Sequence, residues 1–212
     1  QYTEGTHTIT VKSVDLAGND DTVSIMVIVD NSDPTCTVVA PVVGEYIEGA
    51  YTIKVAAEDN VAIAAVNATI FNALGTPVIA DINLGFNTGS EVYEYVLPTT
   101  TLSDGVYIII SWAFDTAGNI TASASVTFYI DNNAPDLRVY YPQEGDFVEG
   151  VIDLESNISV TDIFLRSVTY KVDGTQWLNI SIPWDTTLLR DGMHNLHIKC
   201  IDYAGHITME HI

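Results

Sequence analysis

The chain has 212 residues, with 28 Asp and Glu against only 7 Lys and Arg, giving a formal net charge of −21. Nucleic acid and anionic membrane surfaces would be repelled by that charge, whereas a salt-rich exterior, a divalent cation or a basic partner would suit it. Apolar residues make up 47% of the chain, enough for packed cores, and no apolar run reaches the roughly 18 residues of a membrane helix. No signal peptide opens the sequence, and Gln1 fits a mature or excised product better than a translation start.

In chain order, residues 1–33 read as the last two strands of an incomplete repeat. Residues 34–133 then hold strands expected near 35–40, 50–58, 64–71, 77–83, 91–97, 105–115 and 122–130. These runs are rich in Val, Ile, Thr and Tyr and are bounded by Gly, Pro, Asn or Asp. Residues 134–212 repeat the plan but lack most of a last strand. No stretch has a helical period.

One pattern organises all of this. EGTHTITVKSVDLAGN at 4–19 returns as DGVYIIISWAFDTAGN at 104–119 and as DGMHNLHIKCIDYAGH at 191–206. Each copy is an acid and Gly, a strand, and an Asp-x-Ala-Gly turn closed by Asn or His. Pro41 returns as Pro142, a spacing of 142 − 41 = 101, and VDNSDP returns as IDNNAP. A period near one hundred residues marks a domain repeat. About seven short antiparallel strands per repeat predict an all-β chain of tandem immunoglobulin-like β-sandwiches. Aligning the copies puts Ile9, Val11 and Ser13, Ile109, Ser111 and Ala113, and Leu196, Ile198 and Cys200 on the inward face. Tyr107 stands at the tyrosine corner of such a fold, with His7 and His194 in its register. Cys36 and Cys200 are too few for a disulfide framework and fall too far apart in the pattern to pair.

On these residues the chain resembles the bacterial and archaeal Ig-like tandem-repeat surface proteins. The linker IDNNAPD at 130–136 is similar to the cadherin linker, although it lacks that linker's full acidic spacing. The resemblance implies an extracellular or cell-surface location and modules of a fibre, surface layer or stalk. An adhesin, a carbohydrate-binding module or an accessory segment of a larger surface enzyme is the alternative. It covers the whole chain and says little about chemistry.

The candidate sites follow from loop placement. Glu45, Glu48, Asp104, Asp131, Asn132, Asp136, Asp162 and Asp202 are expected around one linker, and Asp30, Asn31, Asp33, Asp59 and Asp115 around the other. Oxygen donors at that density suit Ca²⁺. The competing reading is that Asp115 and Asp202 bond turn amides while the linker acids are solvated. The outward residues Ile108, Ile110, Trp112 and Phe114 form an apolar stripe in the middle copy alone, expected to mediate self-association into an oligomer or fibre. Exchange of the leading hairpin between copies is a second route to a fibre. Sequons stand at Asn67, Asn119, Asn157 and Asn179 as glycan candidates. Trp177 and Trp184 are candidates for a sugar platform. The five His show no Cys-supported zinc spacing, and no phosphate loop, nucleophile elbow or His-Glu-x-x-His motif occurs, so an enzyme is not expected.

Overall fold

The computed structural model describes residues 3–212. The chain is all-β and immunoglobulin-like, its only helical turns being three short 3₁₀ segments among the described residues. It divides into two compact units. The first comprises Gln1–Val43, Thr52–Leu97 and Tyr107–Phe128, and the second Gly44–Tyr51, Pro98–Val106 and Tyr129–Ile212.

Most of a two-sheet arrangement lies in the first unit. One sheet orders the strands Thr37–Ala40, Ala50–Ala56, Val92–Pro98 and Gly85–Asn87. The other places Gly105–Asp115 between Ile63–Asn72 and Val126–Ile130, with Pro77–Asn83 on the far side of Ile63–Asn72. Both sheets contribute fully buried side chains, Ile53, Val55 and Leu97 from the first and Val66, Ile70, Ile109 and Phe128 from the second. In the strand Gly105–Asp115, Tyr107, Ile109, Ser111, Ala113 and Asp115 are buried while Ile108, Ile110, Trp112 and Phe114 are half-buried. That alternation is the two-residue period of a strand with one face on a core. The outward stripe is thus less open than the sequence reading has it. Phe71, Thr69 and Asn67 of the adjoining strand stand directly opposite Ile108, Ile110 and Trp112 and share their face.

Apart from that sheet, the first unit carries the hairpin Gly5–Val14/Asp20–Val29, paired without interruption along ten residues. Here the expected inward face is not covered. Ile9, Val11, Val23 and Ile25 lie opposite one another in pairs and are 49–62% exposed. Such a two-stranded ribbon has no second sheet to bury against among the described residues, which is the physical reason its alternation is lost.

In the second unit, Leu165–Val172, Leu196–Asp202 and Ile207–His211 form a sheet around a core of Leu137, Leu154, Tyr170, Leu196, Ile198 and Cys200. The parallel pair Tyr129↔Tyr46 and Ile130↔Ile47 also belongs to this unit. Cys36 and Cys200 are both buried free thiols.

The repeated Asp-x-Ala-Gly turn has one geometry in all three copies. Its Gly has a φ of 90° at Gly18, 98° at Gly118 and 100° at Gly205, a conformation that side chains with a Cβ rarely adopt. The leading Asp accepts backbone N–H bonds inside the turn, from Ala17 and Asn19, from Ala117, Gly118 and Asn119, and from Gly205 and His206. At the other end of the strand, His7 Nε2 lies 2.6 Å from Thr3 O and His194 Nε2 lies 2.7 Å from Arg190 O. Both His therefore make the four-residue backward bond of a corner residue.

The alternation predicts unequal costs along one strand. Ile109→Ala should destabilise the fold by about 2–5 kcal/mol, as expected for a fully buried Ile, and Ile110→Ala by no more than about 1 kcal/mol. Urea denaturation of the two variants checks this, and equal losses would contradict the assigned faces.

Candidate cation-binding clusters

Two groups of carboxylates form, one in each unit, at corresponding places in the repeat. In the first unit Asp30, Asp59 and Asp115 each offer a ligand atom within 4.8 Å of the others. Asp30 follows a strand in the Asp-Asn linker segment, Asp59 opens a loop, and Asp115 begins the Asp-x-Ala-Gly turn. Local bonds aim each side chain. Asp59 Oδ2 accepts from the Val61 and Ala62 amides at 2.8 and 2.9 Å. Asp30 Oδ1 accepts from the Ser32 amide at 3.3 Å. Asp115 Oδ1 takes three turn amides at 2.7–2.9 Å, and its Oδ2 takes the Asn119 side chain at 2.7 Å. Burial pushes the Asp115 carboxyl up, but the Asn119 side chain and the turn amides outweigh it and hold it below the ordinary range. Two oxygens remain over: Asp30 Oδ2 and Asp59 Oδ1 are buried and have no hydrogen-bond partner. Glu4 stands beside this group, accepting from Ser32 Oγ at 2.9 Å and from the Asn60 side chain at 3.0 Å.

The second unit holds the counterpart, with Asp131, Asp202 and His206 offering ligand atoms within 4.8 Å of one another. Asp202 is fully buried and its Oδ1 takes the Gly205 and His206 amides at 2.6 and 2.8 Å. Asp162 accepts from the Phe164 amide at 2.6 Å, as Asp59 does from Val61. Asp104 receives the Asn132 amide at 2.8 Å and the Asn133 side chain at 2.6 Å. Asp131 is 1% exposed, and neither of its oxygens has a hydrogen-bond partner. Burial, with repulsion from Asp202, Asp162 and Asp104, pushes its carboxyl up to about 6. Tyr46 stacks on Tyr129 at 4.5 Å and on Tyr203 at 5.5 Å, with the Phe164 ring edge-on to both Tyr46 and Tyr129. These rings pack the strand that precedes Asp131 against the loop that carries Asp162 and the end of the strand Leu196–Asp202.

His206 is the residue the sequence reading missed. It stands where Asn119 and Asn19 stand in the other copies. Its Nδ1 lies 2.7 Å from Asp202 Oδ2 and its Nε2 lies 2.7 Å from Glu48 Oε2. A carboxylate oxygen at each nitrogen favours the protonated ring. The Glu48 bond, with Asp202, raises its pKa above the ordinary value against the opposing effect of burial. The signal was present in the repeat alignment, as the one copy whose turn closes on His.

The remaining predicted residues lie outside these groups. Glu45 accepts from the Tyr51 hydroxyl at 2.9 Å. The Asn132 side chain is taken up by the Gly49 amide, Thr99 and Asp104. Asp136 opens a strand, is exposed, and faces Arg138 at 3.4 Å. Asp33 points to solvent. The hairpin-amide reading holds for Asp115 and Asp202, whose Oδ1 serves the turn amides and whose Oδ2 meets the Asn119 or His206 side chain, while both side chains border a cluster.

Of the sequons, Asn179 is exposed and its Oδ1 alone is used, by Ser181. The amide nitrogens a glycan would occupy are engaged at Asn119, by Asp115 and Ser32 O, and at Asn157, by Asp153 O. Asn67 is half-buried in mid-strand opposite Trp112. The Trp177 ring is approached by Lys171 at 4.8 Å and Lys199 at 4.2 Å, and Trp184 is buried, so neither offers an open sugar platform.

No protein-family model matches the chain. No curated protein is detectably similar to it in sequence. Among solved structures, it resembles a tetra-tandem repeat from the extending region of a large adhesion protein, at 20% identity and a TM-score of 0.43, over 98% of this chain and 55% of that one. Fibronectin(III)-like modules of Clostridium thermocellum CbhA align over 84% of this chain and 91% of theirs, at 15% identity and a TM-score of 0.41. The endo-beta-1,4-mannanase from Thermotoga petrophila aligns over 49% of this chain and 21% of its own, at 17% identity and a TM-score of 0.40. This likeness is one of fold class alone.

The Asp131 environment fixes a pH dependence. A carboxyl near 6 in the folded state, against about 3.9 unfolded, holds its proton more tightly when folded. Its stabilising effect is therefore complete below about pH 4 and is lost as pH rises towards 6. His206, also raised, loses its contribution as pH climbs through its own folded value. Without divalent cations, Asp131→Asn should raise stability at pH 8 by on the order of 3 kcal/mol, and the gain should vanish near pH 4. Thermal unfolding in chelator at the two pH values measures it.

Proposed function

We propose that this chain is a non-catalytic segment of an extracellular fibre, surface layer or stalk, whose Asp-Asn linker segments are stiffened by bound cations. It belongs by this reading with the Ig-like tandem-repeat surface proteins of the Asp-x-Ala-Gly-Asn hairpin type, with cadherin-like linkers. The observation that carries the reading is the Asp30–Asp59–Asp115 group, with two buried oxygens left without partners. Buried carboxylates that lack a counter-charge destabilise a fold, and hard oxygen donors in this number suit Ca²⁺. The residues present fit that ion: Asp30, Asp59 and Asp115 supply carboxylate oxygens, and Glu4 stands next to them.

A cation there ties the linker segment to a loop and a turn of the following repeat, so that the segment acts as a strut. Assembly between copies runs through apolar surface, either the half-buried stripe Ile108, Ile110 and Trp112 or the open face of the leading hairpin. No helix among the described residues is long and apolar enough to cross a membrane.

Added Ca²⁺ should raise the melting temperature by several degrees, and Asp115→Asn should abolish that response; an unchanged melting curve in calcium and in chelator would remove the strut. In the same preparations Trp112→Lys should leave the fold intact and weaken assembly, read as a lower sedimentation coefficient.

A further inference from the structure

We infer that Asp131, Asp202 and His206 form a binding site for a divalent transition cation of the zinc class, distinct in chemistry from the oxygen-only group of the first unit. Three observations on the second unit converge on it. The ligand atoms of the three residues lie within 4.8 Å of one another. Asp131 is 1% exposed with both oxygens unpartnered, so a buried carboxylate is aimed into the group with nothing to receive it. And His206 directs Nδ1 at the group, 2.7 Å from Asp202 Oδ2, while its Nε2 is held by Glu48 at 2.7 Å. An imidazole with one nitrogen on the ligand side and the other donating to a carboxylate is the arrangement in which His ligates metals, the outer carboxylate fixing the ring and raising its basicity.

The donor set decides the class of ion. Ca²⁺ takes six to eight oxygens, whereas a nitrogen and two carboxylates suit Zn²⁺ and its neighbours, with one position left for water. The corresponding residue in the first unit, Asn119, spends its side-chain nitrogen on Asp115 Oδ2 and Ser32 O and has no imidazole nitrogen to offer a metal. The same turn thus carries two selectivities through one change of residue. Charge points the same way: the carboxylates of Asp202 and Glu48 flank one imidazole, and Asp131, with Asp104 and Asp162 close enough to act on it, adds further negative charge. On binding, the cation displaces the proton shared by Nδ1 and Asp202 Oδ2, and that proton leaves to solvent.

Co²⁺ replaces Zn²⁺ and reports its ligands through its visible absorption, so the test is titration of the chelator-stripped full chain with Co²⁺. One Co²⁺ should bind with visible bands, be displaced by stoichiometric Zn²⁺, and resist Ca²⁺ in hundredfold excess. His206→Asn should weaken Co²⁺ binding at least tenfold. It keeps the turn, since Asn closes the two sister copies. Glu48→Ala, at an exposed position, should weaken it by about 10–100-fold. Asp115→Asn should leave Co²⁺ binding unchanged while removing the calcium response, which separates this site from the strut. His197→Ala should also leave it unchanged, since His197 and His211 lie close together elsewhere on the sheet. The inference is overturned if no Co²⁺ binds, if Ca²⁺ displaces it, if binding survives His206→Asn, or if it is lost only with His197→Ala. Failure to bind would mean that the imidazolium itself is the counter-ion of the group.

Discussion

Carboxylates packed against carboxylates, with no Lys or Arg brought to them, are the constraint on which the rest of this molecule turns. Asp131 is the extreme case, buried with both oxygens unpaired among Asp104, Asp162 and Asp202. Ion pairs elsewhere are modest: Lys12 with Asp20, Lys54 with Glu94 and Arg138 with Asp136 all lie at exposed or half-exposed positions, where such pairs contribute little. Among the described residues these Lys and Arg ion pairs go to Asp20, Glu94 and Asp136, not to the buried Asp115, Asp131 and Asp202. An external cation is the complement we propose for these acids.

The Asp-x-Ala-Gly turn is the device that makes this arrangement recur. Its glycine takes the positive φ, its Asp collects the turn amides, and its last residue braces the Asp from the side. Those demands are local, and the exposed copy at Asp15–Asn19 meets them with no metal-type cluster around it among the described residues. The turn is thus a structural unit first. Its Asp joins a carboxylate cluster where a linker Asp arrives beside it, as Asp30 does at Asp115 and Asp131 does at Asp202.

Local signals were the ones legible in the sequence. Alternation in 105–115, the glycine of each turn, and the corner role of His7 and His194 all depend on near neighbours, and the structure shows each of them. Placement of the acids was legible in part. The repeat register brought Asp30, Asp59 and Asp115 together, and likewise Asp131, Asp162 and Asp202. It could not say that Asp136 would turn to Arg138, or Glu45 to the Tyr51 hydroxyl, because those choices are made by side chains competing in space. His206 escapes recognition in the sequence because zinc motifs are recognised by spacing along the chain. Its partners Glu48 and Asp131 come from segments 158 and 75 residues away, as 206 − 48 and 206 − 131. The open face of the leading hairpin differs from the expected inward face for a related reason: alternation marks an inward side but does not supply the sheet that covers it.

The decisive property of the molecule is whether cations occupy the two acidic groups. Anomalous difference maps from crystals grown with both Ca²⁺ and Zn²⁺ measure this directly. A long-wavelength peak is predicted among Asp30, Asp59 and Asp115, and a peak that appears only above the zinc absorption edge among Asp131, Asp202 and His206. Maps with neither peak, and with the carboxylates joined through water alone, would contradict it.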